Sequence, residues 1–339
     1  MKIFCIIVSL VFLGNAISAQ RTGPAEIKIL KKKEDSLKVL AVKIIQGRTS
    51  EDRFLADSEF TRIFVRALKI RNSFYFPFDS LLTISRLAPP DSSFKIFTWQ
   101  LVVNDYVVRQ HGAIQIRTPD GSLKLFPLID KSDVTEDIVD TVGNNFGWIG
   151  AVYYRIIETH ASGKNYYTLL GYDENSMSSN KKMVEVLTFE EGQPIFGGAY
   201  FTATDINPAE RFGKRLVLEY KKNASPRLVY DTDQNMIIYE HLVPETDEPQ
   251  KRYTYIGDGD YEGLKWQDGK WVHINKIYTL QTKEGEEPVP NPLRDANGDI
   301  DPSKLKDNSP AGNDPDQGNT KKDSIKTKVT PTKVKVKKD

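Results

Sequence analysis

From Phe94 to Leu280 the chain repeats one pattern: a run of aromatic and β-branched residues, a tight polar turn, then another such run. The runs include "SFKIFTWQLV", "HGAIQIRTPDGSLKLFPL", "WIGAVYYRIIETHASGKNYYTLLGY", "MVEVLTFEEGQPIFGGAYF", "RLVLEYKKNASPRLVYDTDQNMIIYEHLV" and "GLKWQDGKWVHINKIYTL". Pro119-Asp120-Gly121, Ser162-Gly163-Lys164, Glu191-Gly192 and Asp268-Gly269 stand where short hairpin loops need Asp-Gly or a glycine at positive φ. Parallel strands would need crossovers of about a dozen residues, and no helical stretch separates these runs. The region therefore predicts roughly ten to thirteen antiparallel strands, arranged as a sandwich or a propeller-like meander. No clean repeat of about 40–45 residues supports a full propeller.

Two helical patterns precede the strands. Within Ala25 to Gln46, Leu30, Leu37, Leu40, Ala41 and Ile44 recur at helical spacing while Lys31 to Asp35 face away. Gly47 then ends the run in the manner of a C-cap. The stretch "RTSEDRFLADSEFTRIFVRALKI" opens with Thr49 or Ser50 as cap and Glu51 and Asp52 in the first turn. Phe60, Ile63, Phe64, Ala67 and Leu68 make one apolar stripe, which needs another surface to cover it. The expected fold is α+β and mainly β: a helical hairpin over residues 20–73, packed on a large antiparallel β domain over 74–283.

The two ends read differently. "MKIFCIIVSLVFLGNAISAQ" has a positive start at Lys2, an apolar run from Ile3 to Leu13 too short to span a bilayer, and small residues up to Ala19. Residues 1–19 are read as an export signal cut after Ala19, with a cut after Ser18 as the alternative. Cys5 is the one cysteine of the chain, and it precedes most of the apolar run, so it is not read as a lipid-anchor site. After cleavage no thiol remains for a disulfide, a thiolate metal site or a cysteine nucleophile. Stability must then come from an apolar core, and no later segment reaches the ~18 consecutive apolar residues of a membrane helix.

From Glu284 the chain loses its aromatics and fills with Pro, Gly, Asn, Asp and Lys. Residues 284–339 are expected to be disordered, because they cannot bury enough apolar surface to offset their ordering entropy. Glu284 to Asn319 is acidic, whereas Lys321 to Lys338 holds eight lysines against one aspartate. That lysine block is either a solvated tail or a dock for an anionic envelope surface. Nucleic acid is a poor partner for an exported chain with 47 Lys+Arg against 46 Asp+Glu.

The segments "FPFDSLLTISRLAPPDSSFKIFTWQ", "WIGAVYYRIIETHASGKNYYTLLGYDENSMSSNKKMVEVLTF", "PIFG", "KRLVLEY" and "MIIYEHLVP" resemble a family of exported proteins from Bacteroidota, over roughly Phe76 to Trp271. The resemblance implies a periplasmic or outer-envelope setting. It brings no activity and no catalytic residues.

Motifs for chemistry are few. His111, His160, His241 and His273 show no short His-His spacing and no HExxH, so a zinc site would need ligands from distant strands. Each histidine is read as a structural or surface group. No G-x-S-x-G elbow and no phosphate-binding P-loop occurs. In "YIGDGDYEGLKW", Asp258, Asp260 and Glu262 alternate, so an extended strand would project all three to one side, for Ca²⁺ or simply for water. "DANGDIDPSKLKD" starts like a calcium loop at Asp295, Asn297 and Asp299, but Ile300 and Lys306 replace its glycine and bidentate glutamate. The polar segment Asp173 to Lys182, with Glu174, Asn175, Ser176, Ser178, Ser179 and Asn180, is read as a structural hairpin turn. Trp148, Tyr153, Tyr154, Tyr166, Tyr167 and Tyr172 are dense enough for a sugar-stacking surface, although paired tyrosines in a strand point to opposite faces.

No catalytic, cofactor-binding or metal-binding residue is assigned, and no cofactor is expected. The expected function is that of an exported, non-catalytic envelope protein, binding a protein partner or glycan, with the lysine tail on an anionic surface. A carboxylate-based hydrolase of an envelope or extracellular polymer, and a structural subunit of an envelope complex, are the alternatives.

Overall fold

The structure is a computed structural model and describes residues 21–104, 107–202 and 210–277. The segment 1–19 read as an export signal, the calcium-loop-like stretch and the tail 284–339 lie outside the described residues. Helix α1 spans Pro24–Gln46 and α2 spans Ser50–Leu68. Pro24 opens α1, where its missing N–H has no intrahelical partner to lose. Thr49 caps α2, its hydroxyl accepting the Asp52 N–H at 3.1 Å. Gly47 closes α1 through its N–H to the Lys43 carbonyl at 2.9 Å, yet its φ is −56° and not left-handed. What the glycine provides there is space, because a Cβ would lie 2.8 Å from Arg53 Cγ. The Arg53 guanidinium donates to Gly47 O at 2.7 Å and to Val102 O at 2.5 Å, which ties the hairpin to the strands.

Sixteen strands form three sheets among the described residues. The first sheet runs β1 (Ser85–Leu87), β2 (Phe94–Val102), β3 (Val108–Ile116), β4 (Lys124–Ile129) in that order. The central sheet contains β5 (Gly143–Asn144), β6 (Val152–Ala161), β7 (Lys164–Asp173), β8 (Ser179–Glu190), β9 (Gln193–Phe196), β11 (Glu210–Phe212) and β12 (Leu216–Lys221). Its main order is β11-β12-β8-β7-β6, while β9 pairs with the far end of β8 and with β5. The third sheet holds β10 (Phe201–Thr202), β13 (Leu228–Asp231), β14 (Met236–Pro244), β15 (Tyr255–Gln267) and β16 (Lys270–Ile274), ordered β10-β16-β15-β14-β13.

Pairing is antiparallel, as expected, with two exceptions: β10 lies parallel to β16, and an isolated bridge joins Asp130 to Trp148 in parallel. Both join segments distant in sequence, so no tight turn dictates their direction. Ser162-Gly163, Glu191-Gly192 and Asp268-Gly269 all have positive φ at both residues. They are the two-residue mirror-type turns that follow the twist of the flanking strands.

The meander resolves into stacked layers, with an apolar cluster in each interval. Phe97, Trp99 and Leu101 of β2 turn toward the helices, with Leu30, Leu37, Phe60 and Phe64. Trp99 meets Phe60 edge-on at 5.3 Å and Phe97 meets Phe64 at 5.0 Å. Phe94 and Ile96, on the opposite face, pack with Tyr153, Tyr167, Leu169, Met183 and Leu187 of the central sheet. The other face of that sheet sets Leu170, Val184, Val186, Leu216 and Leu218 against Ile237, Tyr239, Leu264 and Trp271 of the third. Each such large side chain contributes about 1.5–3 kcal/mol when fully buried. A sheet covered on both sides needs apolar residues at successive positions, which is why β7 and β8 read as near-continuous apolar runs. The described residues all belong to one compact unit.

One polar chain is sealed inside the central layer. Trp148 Nε1 donates to Tyr153 OH at 2.7 Å, and that hydroxyl donates in turn to Glu185. Arg215 Nε donates to the other Glu185 oxygen at 3.1 Å, and its Nη1 donates to the Ile138 and Thr141 carbonyls. Burial raises the Tyr153 phenol far above its ordinary range, and the Glu185 charge adds to the shift. Arg215 and Glu185 are both wholly buried, and Arg215 Nη2 has no partner.

Candidate functional site

The central sheet forks at one end. β7 and β8 pair from Asp173 and Lys181 as far as Tyr167 and Leu187. Beyond that point β7 continues only with β6, matching Tyr166 to Thr159 and Asn165 to His160. β8 continues only with β9, matching Thr188 to Ile195 and Phe189 to Pro194. Each ribbon is closed by its own tight turn, and two-stranded ribbons twist more strongly than wider sheets. The ends therefore separate.

The gap is a cleft of about 530 Å³, within the roughly 300–1,000 Å³ of small-ligand sites. One wall carries Asn165, Tyr166 and Tyr167, the other Thr188 and Phe189, and Tyr200 lies beside them. Tyr166 and Tyr167 point to opposite faces of β7, so the cleft meets both adjoining layers. Tyr166 stands edge-on to Tyr200 at 5.5 Å and packs on Trp266 at 5.3 Å. On the other face Tyr167 meets Phe94 at 4.9 Å and Phe189 at 6.1 Å. These rings form firm apolar walls with polar edges.

Hydrogen bonds set the protonation of the polar groups. Tyr167 OH donates to Asp91 Oδ2 at 2.6 Å and lies 3.2 Å from Ser93 Oγ. Asn165 Nδ2 reaches Asp91 Oδ2 at 3.3 Å and Glu158 Oε1 at 3.5 Å. Burial alone would raise the Asp91 carboxyl, but bonds from Tyr167, Ser93 and Asn165 outweigh it and hold that group below the usual range. Burial raises the phenols of Tyr167 and Tyr200. Around neutrality the cleft thus presents protonated phenols, with an ionised Asp91 bonded to Tyr167 outside the lining. Thr188 Oγ1 is buried in the wall without a hydrogen-bond partner; Tyr200 is near enough for the two hydroxyls to influence each other, without reaching bonding geometry. Lys164, Glu190 and Glu191 are exposed at the mouth.

The residues singled out in the sequence are dispersed. The polar hairpin at the opposite end of β7 has a loop of residues 174–178 only, since Asp173 and Ser179 to Lys182 belong to the strands. Its groups are engaged within the fold: Asp173 Oδ1 accepts from Gln110 Nε2 (2.9 Å) and the Asn175 N–H (3.0 Å), and Ser179 donates to Glu219 at 2.7 Å. Burial raises the Asp173 carboxyl.

Asp258, Asp260 and Glu262 do not form the one-sided trio expected of an extended strand. Gly259, at φ 90°, interrupts the alternation, and the ladder to β14 shifts between Glu240 and Leu242. Asp258 pairs with His241 at 2.7 Å, Asp260 with Lys276 at 2.9 Å, and buried Glu262 with His273 at 2.7 Å.

His111 lies within β3, with Nδ1 3.0 Å from Asp57 Oδ1, the oxygen that also accepts Trp99 Nε1. His160 lies 3.3 Å from Glu158. The four histidines thus sit beside four different carboxylates. No group of three or more His, Cys, Asp or Glu suited to a metal ion occurs among the described residues.

Of the aromatics marked in the sequence, Tyr166 and Tyr167 reach the cleft. Trp148 and Tyr153 are core, and Tyr154 bonds to Leu228 O at 2.9 Å. Asp91, Thr188, Phe189 and Tyr200 were not marked, because their convergence depends on the fork. A tyrosine pair two residues after Ser162-Gly163, and a Thr-Phe-Glu run directly before Glu191-Gly192, are the local signals available. Comparison with known proteins returns no match to a family model, a curated protein or a solved structure.

Proposed function

We propose that the protein is exported, remains with the cell envelope and binds a saccharide in the forked cleft without cleaving it. The observation that carries this reading is the lining of the fork. Aromatic rings stand on both ribbons, with the Tyr200 phenol and the Asn165 amide in the lining. A pyranose offers C–H faces for rings and hydroxyls that both donate and accept, so it matches such a lining. Export is supported by the pattern of residues 1–19, and contact with an anionic surface by the lysines of 321–338.

Hydrolysis fits less well. A glycosidase needs a carboxylic acid held protonated near neutrality beside a second carboxylate. Asp91 is shifted the opposite way. Asp173, which burial raises, ends the ten-residue strand whose start forms the cleft, about 20–30 Å away at ~3.3 Å per residue.

A glycan array of neutral and amino-sugar oligosaccharides, followed by titration calorimetry, tests the proposal. Tyr166→Ala and Tyr200→Ala should each weaken binding about tenfold, from lost ring contact. Affinity unchanged in both variants would remove the cleft from consideration. Shortened saccharide in the mixture would replace binding with hydrolysis. Capture only of extended peptides would make the fork an acceptor for a strand.

A further inference from the structure

The helical hairpin covers the first sheet with one face and turns the other outward. On α1 the outward stripe is Lys28, Lys32, Asp35, Val39, Val42 and Gln46, stepping by three and four residues, and all six are exposed. Val39 is 68% exposed, and Leu55 of α2 is 62% exposed, with Phe54 also outside. Lys31, Lys38 and Lys43 flank the stripe.

Charge is concentrated here. Residues 21–72 hold 13 Lys and Arg against 7 Asp and Glu, although the whole chain carries 47 against 46. Two of those seven acids face inward: Glu34 accepts the Ser80 N–H at 2.8 Å, and Asp57 accepts Trp99 Nε1 at 2.8 Å. Asp52 is paired with Lys43 at 3.2 Å. The outward face of α1 is therefore basic, with Val39 and Val42 set beside Lys38 and Lys43, whereas Leu55 on α2 stands one turn from Glu51 and Glu59.

We propose that this face docks on an anionic lipid bilayer. A protein partner more often meets a contiguous apolar patch with a polar rim. Here two exposed valines, Val39 and Val42, lie beside Lys38 and Lys43 on a lysine-rich helix face, an arrangement suited to a plane of anionic headgroups with hydrocarbon just beneath. The deeper apolar stripes of both helices are already committed to the first sheet, so docking is shallow, electrostatic and reversible. It is independent of the saccharide cleft, and a failed saccharide assay leaves it standing.

The lysines of 321–338 could also hold the protein on such vesicles, so the readout must be local to the hairpin. Full-length protein carrying Val39→Trp is mixed with phosphatidylcholine–phosphatidylglycerol vesicles, with phosphatidylcholine alone as control and the unsubstituted protein giving the background of its four tryptophans. In the difference spectrum the added tryptophan should shift to the blue and be quenched by brominated lipid on the anionic vesicles only. The combined Lys28→Glu, Lys32→Glu and Lys38→Glu substitutions should weaken vesicle binding about tenfold or more. Val39→Ser with Val42→Ser, which leaves the charge unchanged, should weaken vesicle binding about two- to threefold. Circular dichroism checks that each variant keeps its fold. If the protein sediments with anionic vesicles while the tryptophan at position 39 keeps its emission, the tail does the binding and the proposal fails. It fails equally if sedimentation velocity shows self-association that Val39→Ser dissolves, which would assign the face to a second copy of the chain.

Discussion

Replacing Glu185 by glutamine tests the central layer most directly. The change keeps the shape of the side chain but removes the charge that faces Arg215, and neither residue is exposed to solvent. Arg215 would retain its bonds to the Ile138 and Thr141 carbonyls, yet its positive charge would have no counter-charge in a water-free interior. Breaking one partner of a buried pair costs about 3–5 kcal/mol, more than the pair itself stabilises. At about 2–4 °C per kcal/mol for a body of this size, the melting temperature should fall by about 6–20 °C. Urea denaturation followed by tryptophan fluorescence gives the free energy, and calorimetry gives the temperature. In a double-mutant cycle, Glu185→Leu with Arg215→Met should cost less than the sum of the single changes by at least about 1 kcal/mol. A loss below about 1 kcal/mol for Glu185→Gln, or additive single changes, would show that the pair is not the uncompensated couple described above.

Asp57→Ala removes the acceptor shared by Trp99 Nε1 and His111; leaving the buried indole N–H unpaired should cost about 1–3 kcal/mol, measured by urea denaturation. Lys95 is pushed down to about 8 by burial, and its Nζ donates to Phe76 O at 3.0 Å. Below pH 8 both states bind that proton; between about pH 8 and the ordinary lysine range the unfolded state binds more, so this group makes stability rise with pH. Lys95→Met should abolish that rise, as followed by thermal melts across the alkaline range.

Much of the fold was legible in the residues taken alone. The tight turns at Ser162-Gly163, Glu191-Gly192 and Asp268-Gly269, and the Thr49 cap, are local devices set by neighbouring backbone, and the structure places them as expected. The helical hairpin and the mainly antiparallel β body follow from spacing, since periodicities of 3.6 and 2 reflect geometry within one element. The site was not legible in this way. Asp258, Asp260 and Glu262 looked like a unit because alternation predicts a shared face, but Gly259 and the ladder shift separate them. Tyr166 and Tyr167 could be placed on opposite faces of a strand. What covers each face could not be known from that strand.

The chain by itself determined which segments become helices and strands, where the strands reverse, and that no cysteine follows Cys5 to brace the folded body. Tertiary structure alone decided the stacking of sheets, the fork between the β6–β7 and β8–β9 ribbons, and the carboxylate that each histidine meets. The reason is physical. Local conformation depends on neighbouring residues, whereas the fork and the buried pairs depend on twist and packing among strands that lie far apart in the chain.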